Sequence, residues 1–209
     1  MIQASHQSSR GDAAITRALD LTVAPLLLFA LSPLLAIAAI AIIVDSGRPV
    51  LFRRRVLGRG GKEFDAYKLR TMCNEAENIL RTSRGLVEAH RERQKLTSDP
   101  RVTRVGRLLR KYSLDEVPQL VNVVRGQMSL VGPRMIHPPE LMRFGALGPR
   151  LLERRPGLTG LWQVSGRSEL PFSARLQLDL EYLETRSLGL DLKLLLKTVP
   201  AVLRGRGAY

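Results

Sequence analysis

Cysteine occurs once in the 209 residues, at Cys73. An intramolecular disulfide is therefore excluded, and Cys73 reads as a small buried hydrophobe in a reducing compartment. Histidine is nearly as scarce. His6, His90 and His137 have no Cys or His neighbour at zinc spacing, so a zinc site is not expected. Any metal would be a hard cation on carboxylate oxygen. Aromatic residues make up only 5% of the chain, which argues against a base-stacking platform for single-stranded nucleic acid. No zinc-finger or RNA-motif signature is present, and nucleic acid is not an expected partner. Acidic residues are also in deficit: 19 Asp and Glu face 33 Lys and Arg, a formal charge of +14. Such an excess speaks about partners rather than fold. The partners that remain are an anionic membrane surface and a phosphorylated small molecule.

One long apolar run is present. "LTVAPLLLFALSPLLAIAAIAIIV", Leu21 to Val44, carries no charge and exceeds the roughly 20 residues a spanning helix needs. It is not a secretory signal: the run is too long and no small-residue cleavage site follows it. Two features argue against a simple span. Pro33 has no N–H to give Phe29, so the helix is expected to kink or break at Ser32-Pro33, with Ser32 satisfying a freed carbonyl. Both flanks are basic, with Arg10 and Arg17 before the run and Arg48, Arg53, Arg54 and Arg55 after it. Cytoplasmic flanks carry Lys and Arg, so both ends prefer one side. A re-entrant helix that turns at Ser32-Pro33 satisfies both facts. A Pro-kinked spanning helix satisfies the first alone. Residues 1–16 read as a flexible polar tail.

Beyond the run, Pro49–Phe52 and Glu63–Leu69 flank a Gly58/Gly60/Gly61 turn and predict a hairpin. The turn does not match a P-loop or dinucleotide fingerprint. Asn74 to Leu96 favours helix. Ser98 or Asp99 can cap a further helix with Pro100 at its first position. That helix places Val102, Val105, Leu108 and Leu109 on one face and Arg101, Arg104, Arg107 and Lys111 around the other. The charged face is either solvated or rests on lipid headgroups. "DEVPQLVNVVRG" predicts a short helix, "MSLVGPR" a strand entering a turn, and "RRPGLTGLWQVSGR" a loop. Two helices close the chain, Phe172 to Thr185 and Leu190 to Leu203. The second is interrupted at Pro200 and sets Lys193 and Lys197 among leucines, an interfacial pattern.

"YSLDEVPQL" sets two carboxylates side by side in this basic chain. Asp115 can cap a helix with Pro118 in its first turn, and Ser113 with Glu116 fits a capping box. The chemical alternative starts from the positive potential at a helix start, which keeps a carboxylate ionised. Ionised Asp can attack phosphorus and carry an acyl phosphate, provided cations surround the transferred group. Arg70, Arg110 and Arg134 offer guanidinium forks and Lys68 a point charge, if the fold brings them together.

"FDAYKLRTM", "DPRVTRVGRLLRKYSLDEVPQLVNVVRGQMSLVGPR" and "RPGLTGLWQVSGR" closely resemble the bacterial sugar transferase family, the monotopic phosphoglycosyl transferases that prime polysaccharide and glycan assembly. The resemblance runs from about Ala18 to the C-terminus. It implies an α+β, predominantly helical fold. A re-entrant helix over 17–48, broken at Ser32-Pro33, would anchor a small cytoplasmic catalytic domain over 49–209, which carries the hairpin and interfacial amphipathic helices. It implies that Asp115 and Glu116 are the catalytic dyad and that Mg²⁺ is the cofactor, held by that pair. By the same resemblance Asp115 attacks the β-phosphate of a nucleoside-diphosphate sugar, expected to be a UDP-sugar. UMP leaves, and polyprenyl phosphate then takes the sugar phosphate, priming exopolysaccharide or glycan synthesis at the cytoplasmic face of the inner membrane. Lys68, Arg70, Arg110 and Arg134 are the expected phosphate and nucleotide ligands. Anionic lipids are expected partners, and a homodimer is compatible with the sequence. The family tends to read Gly-Pro-Arg-Pro where this chain has Gly132-Pro133-Arg134-Met135, which changes the turn beside Arg134. Two rival readings remain at this stage. One is a Mg-dependent phosphatase or pyrophosphatase at the membrane. The other is a membrane-tethered basic binding protein with Asp115 as a cap. Clustering of the four cations around the dyad favours an enzyme; scatter favours the binder.

Overall fold

The computed structural model describes residues 10–83, 99–205 and 207. Its dominant element is α1, Arg10–Ser46, a helix of 37 residues. The tail read over residues 1–16 lies outside the described residues up to residue 9; from Arg10 onward the chain is already helical. Asp12 stands in the first turn, where a negative charge suits the helix dipole, and Thr16 Oγ1 donates back to its carbonyl at 2.8 Å. The expected kink or break at Ser32-Pro33 does not interrupt the helix: the backbone hydrogen bonding continues through both Pro25 and Pro33. The hydrogen bond that proline removes is replaced locally. Ser32 Oγ donates to the Phe29 carbonyl at 2.8 Å, the acceptor that the missing N–H of Pro33 would have served.

Both ends of α1 are fastened to the same globular body. Near its start, Arg17 donates to the carbonyls of Val123 and Val124 at 2.6 and 2.8 Å, and Asp20 accepts from Ser129 Oγ and from the Leu130 N–H. Ala24 is fully buried in the main core beside Val56, Phe64, Leu120, Leu130 and Tyr182. Near the other end, Ala38 and Ile42 pack on Leu69 and Leu109. Asp45 accepts from the Val105 N–H, and Arg70 binds the carbonyls of Ser46 and Gly47. Between these anchors the outer face is bare: Phe29 is 82% exposed, Ile37 64% and Ile40 63%.

The hairpin forms as expected, with a longer first strand. β1, Leu51–Leu57, pairs antiparallel with β2, Glu63–Leu69, across a 3₁₀ turn at Arg59–Gly61. Three successive arginines sit in β1 because a strand sends neighbours to opposite faces, where partners wait. Arg55 lies 3.3 Å from Asp65, and Arg53 stands over the Tyr67 ring. At its far end Leu57 bridges to Ile136, where a third apolar cluster includes Leu151. The described part of Asn74 to Leu96 holds one helix, α2, Ala76–Thr82; residues 84–96 lie outside the described residues. Cys73 is free and half-buried rather than fully buried.

The basic helix starts later than its sequence suggests. α3 covers Arg104–Lys111, capped by Thr103, whose Oγ1 accepts from the Gly106 N–H at 2.9 Å. Asp99 is unavailable as a cap because Arg101 grips both its oxygens, and residues 101–103 run extended against 71–73. Ser98 lies outside the described residues. Arg101 is thus not on the helix, and Leu108 is 57% exposed among Arg104, Arg107 and Lys111. Gly106 lets this helix close onto the chain after β2: a Cβ there would lie 2.1 Å from the Thr71 carbonyl oxygen. Gly106→Ala is therefore expected to destabilise the fold by about 3 kcal/mol or more, as overpacking against rigid backbone does. Thermal unfolding of the detergent-solubilised protein measures it.

A 3₁₀ segment, Leu114–Gln119, leads into α4, Leu120–Val124. β3, Ser129–Val131, pairs in parallel with β4, Gly157–Thr159, which falls inside the segment read as a loop. Three residues are too few to show alternation, and Gly157 is needed because a Cβ would meet the Gly132 nitrogen at 2.1 Å. A 3₁₀ segment at Pro138–Leu147 and α5, Gly148–Leu151, lie between these strands in sequence. After β4 come α6, Leu161–Ser165, and a 3₁₀ turn at Arg167–Glu169. α7 spans Phe172–Thr185 as expected. α8 spans Leu188–Arg204 and continues through Pro200 rather than stopping there. Its Leu192, Leu196, Val199 and Leu203 are all exposed, at spacings that form one ribbon beside Lys193 and Lys197.

Candidate active site

Asp115 and Glu116 occupy the first turn of the Leu114–Gln119 segment. Neither capping arrangement forms. Ser113, the residue before the segment, has left-handed backbone (φ 54°) and makes no cap; its Oγ accepts from Arg167 Nη2 instead. Among the described residues other than glycine, only Ser113 and Arg167 have positive φ, and they hold each other. Strain of this kind costs on the order of 1 kcal/mol per residue and gathers where function fixes a conformation.

The two carboxylates have opposite electrostatics. Asp115 is only 8% exposed. Burial, and next the charge of Glu116, push it up to about 6, although Lys68 and Arg110 pull it back. The positive potential of a helix start was expected to keep it well ionised; in this short turn burial outweighs it. Burial also pushes Glu116 up, but Lys68, Arg167 and Arg134 together draw it below the ordinary range. Lys68 Nζ sits 2.5 Å from Glu116 Oε1. The pair is thus a fixed anion beside a carboxylate that ionises near neutrality. A reaction that used Asp115 as its nucleophile would need it ionised, so single-turnover donor cleavage at saturating donor would then fall as pH drops through about 6. Nucleotide release after rapid quench, followed from pH 5 to 8, measures that limb.

Three of the four expected cations converge here. Lys68 pairs with Glu116. Arg110 acts on Asp115, its Nε donating to Thr71 Oγ1 at 2.9 Å. Arg134 acts on Glu116 and lies over the Trp162 ring, 5.6 Å from its centroid. Arg70 does not join them. Its guanidinium is spent on Ser46, Gly47 and Asn74, where it closes the C-terminal end of α1. β2 ends at Leu69, which buries against α1, and the chain leaving the strand carries Arg70 to the same helix end.

Other residues at the site were not picked out from the sequence. Arg167 ends the "RPGLTGLWQVSGR" block, which was the one signal that could have found it. Arg175 lies over Trp162 at 5.7 Å, opposite in sequence to nothing that marks it. Asp179 is buried and accepts from the Arg134 N–H at 3.2 Å; burial pushes it up to about 7. Gln119 is fully buried, and neither end of its amide has a hydrogen-bond partner among the described residues. The Trp162 indole N–H is buried in the same condition.

As a metal site, the dyad offers hard oxygen donors but few of them. No group of three or more His, Cys, Asp and Glu occurs among the described residues. Lys68 already engages one oxygen of Glu116. Two carboxylates fit Mg²⁺, which takes one or two from protein and the rest from substrate phosphate and water.

A family model of the bacterial sugar transferases matches residues 11–205. The chain belongs to the bacterial sugar transferase family. It is 41% identical over 197 residues to the exopolysaccharide production protein ExoY of Sinorhizobium fredii, covering 92% of this chain and 87% of that protein. It is 44% identical over 204 residues to a UDP-glucose:undecaprenyl-phosphate glucose-1-phosphate transferase of Caulobacter vibrioides, covering 92% and 71%. To an undecaprenyl-phosphate galactose phosphotransferase of Salmonella typhimurium it is 39% identical over 206 residues, 97% of this chain but 43% of that protein. The transferase is therefore an enzyme of sugar-phosphate transfer.

Proposed function

We propose that the transferase moves a hexose-1-phosphate from a UDP-sugar to polyprenyl phosphate through a covalent intermediate on Asp115, priming exopolysaccharide synthesis. The observation that carries this is a buried Asp115 whose pKa is raised to about 6 and whose ionisation is aided by the charges of Lys68 and Arg110, with Lys68, Arg167 and Arg134 acting on its neighbour Glu116. The Asp115 carboxylate attacks the β-phosphorus. The bond from that phosphorus to the bridging oxygen breaks, and UMP leaves with the electron pair. An oxygen of polyprenyl phosphate then attacks the same phosphorus and releases Asp115 as carboxylate. No proton transfer is required. Lys68 fixes Glu116, and Arg110 and Arg134 offset the charge on the diphosphate. Asp115 and the remaining oxygen of Glu116 would hold Mg²⁺, which when bound neutralises phosphate charge.

The names of two relatives, which include undecaprenyl phosphate and, in one, UDP-glucose, support the chemistry. A re-entrant course for α1 is supported by its anchors. A straight helix of this length measures about 55 Å, against a hydrocarbon core of about 30 Å. A helix crossing that core could not have both ends bound to one body on one side. We place the bare middle of α1, with Leu51, Phe52, Leu108 and the exposed ribbon of α8, in the lipid of the inner membrane, the body facing the cytoplasm. Cysteines introduced near residues 12 and 50 are expected to be equally shielded from an external thiol reagent in intact cells. Labelling of the first alone would show a spanning helix.

The deciding experiment supplies UDP-sugar and Mg²⁺ without lipid acceptor. A phosphosugar adduct on the peptide containing "YSLDEVPQL", with one UMP released per site, supports the reading. Cleavage that requires acceptor and leaves no adduct defeats it. Steady release of free sugar phosphate would indicate a phosphatase or pyrophosphatase.

A further inference from the structure

A cleft of about 290 Å³ is lined in part by Arg134, one of the cations that act on Glu116. Its walls come from three places. The turn after β3 gives Arg134 and Ile136, the 3₁₀ segment Pro138–Leu147 gives Arg143 and Phe144, and α7 gives Phe172, Arg175 and Asp179. The reaction described above uses only one of these residues, Arg134.

The chemistry of the walls is specific. The Phe144 and Phe172 rings meet with centroids 5.1 Å apart, and the Arg143 guanidinium lies 5.0 Å from the Phe172 centroid. Arg134 and Arg175 both lie against Trp162. An arginine stacked on a ring keeps its N–H edge available for oxyanions. The cleft thus joins an aromatic group, Phe144 and Phe172 with Arg143, to a cationic pair, Arg134 and Arg175, of which Arg134 acts on Glu116 of the dyad. A planar base, which stacks on aromatic rings, followed by phosphates, which guanidinium groups bind, matches this combination.

Position favours a ligand from the water side over the lipid acceptor. Ile136 is bridged to Leu57, whereas Lys68, which holds Glu116, is paired with Phe52 at the other end of the hairpin. Along β1 the two points are about 17 Å apart. Phe52 and its neighbour Leu51 are half-exposed just beyond the end of α1, so on the membrane placement proposed above the dyad lies nearer the lipid and the cleft nearer the water.

We propose that this cleft holds the nucleoside of the sugar-nucleotide donor, its base against Phe144, Phe172 and Arg143 and its diphosphate passing Arg175 and Arg134 to reach Asp115. The inference rests on the donor-transfer reading above. Asp179, buried behind Arg134 and bonded to its N–H, fixes that corner.

The test uses the full chain in detergent with two variants, Arg143→Ala and Phe144→Ala. Arg143 is exposed, so its truncation leaves the core intact; Phe144 is half-buried beside Leu57 and Leu151, and its folding is checked by thermal melt. UMP affinity is measured by calorimetry, and initial rates are taken with donor and with polyprenyl phosphate varied in turn. Loss of a stacking partner weakens binding of a base by about 5- to 100-fold. UMP Kd and donor KM are expected to rise by that order, with kcat within about twofold and lipid KM unchanged. Unchanged UMP Kd in both variants overturns the proposal, as does a rise confined to lipid KM, which would make the cleft an acceptor groove. Calorimetry with UMP does not need transfer to occur. A wild type that binds UMP through Arg143 yet forms no adduct therefore defeats the covalent reading and not the cleft.

Discussion

Asp115→Asn protein is expected to fold, to associate with membrane as the wild type does, and to form no phosphosugar adduct. The carboxamide has the shape of the carboxylate but neither its charge nor its nucleophilicity. Removing a nucleophile of this kind costs on the order of 10⁴-fold or more in rate. Stability should move the other way. Asp115 ionises at about 6 in the folded protein, above its ordinary 3.8, because burial opposes the charge. A group whose pKa is raised on folding stabilises while protonated, and that contribution is lost as pH climbs through the folded value. The wild type therefore loses stability relative to Asp115→Asn between about pH 4 and pH 6, and the gap then stays constant. Melting temperatures of the two proteins across this range measure it. The same residue would then be shown to oppose the fold and to drive the chemistry. Residual activity within tenfold of wild type would instead make Asp115 a metal ligand or a structural residue.

Lys68→Met is expected to give the second-largest loss, about 10²- to 10³-fold in single-turnover rate, as loss of one charge stabiliser does in a dry site. Methionine keeps the apolar stem but removes the ammonium that lies 2.5 Å from Glu116. Two consequences follow from one deletion. The diphosphate loses a cation, and the dyad loses the main attraction holding Glu116 ionised. Lys68 also lowers Asp115, so without it both carboxylates hold their protons to higher pH. The acid limb of donor cleavage should therefore move above 6. A slower variant whose limb stays near 6 would show that Lys68 acts on substrate alone, with no influence on the dyad.

Much of this molecule is written locally. The uncharged run from Leu21 to Val44 dictates a long apolar helix, because nothing in it can be left in water or forced to bend except at its prolines. Glycines at 58, 60 and 61 between two β-favouring stretches dictate a hairpin, and α7 has the bounds its pattern suggests. The Asp115-Glu116 pair stood out because two adjacent carboxylates are conspicuous in so basic a chain, and the motif blocks around it identified the family. What sequence did not contain was any distance. Whether Lys68, Arg70, Arg110 and Arg134 meet depends on where β2, α3 and the turn after β3 come to rest. Packing brings three of them together and sends Arg70 to the end of α1. Arg167 joins because α6 and the turn after it fold back onto Ser113, a contact between positions 54 residues apart. The expected helix cap at Asp99 failed for the same kind of reason: Arg101 captured its carboxylate, and pairing with residues 71–73 held the chain extended. The ionisation of Asp115 reversed its local expectation, since position in a turn is a local property but burial is set by every element that closes over it. Residue types and spacing thus named the chemistry, while the burial and the company that tune it came only from the tertiary fold.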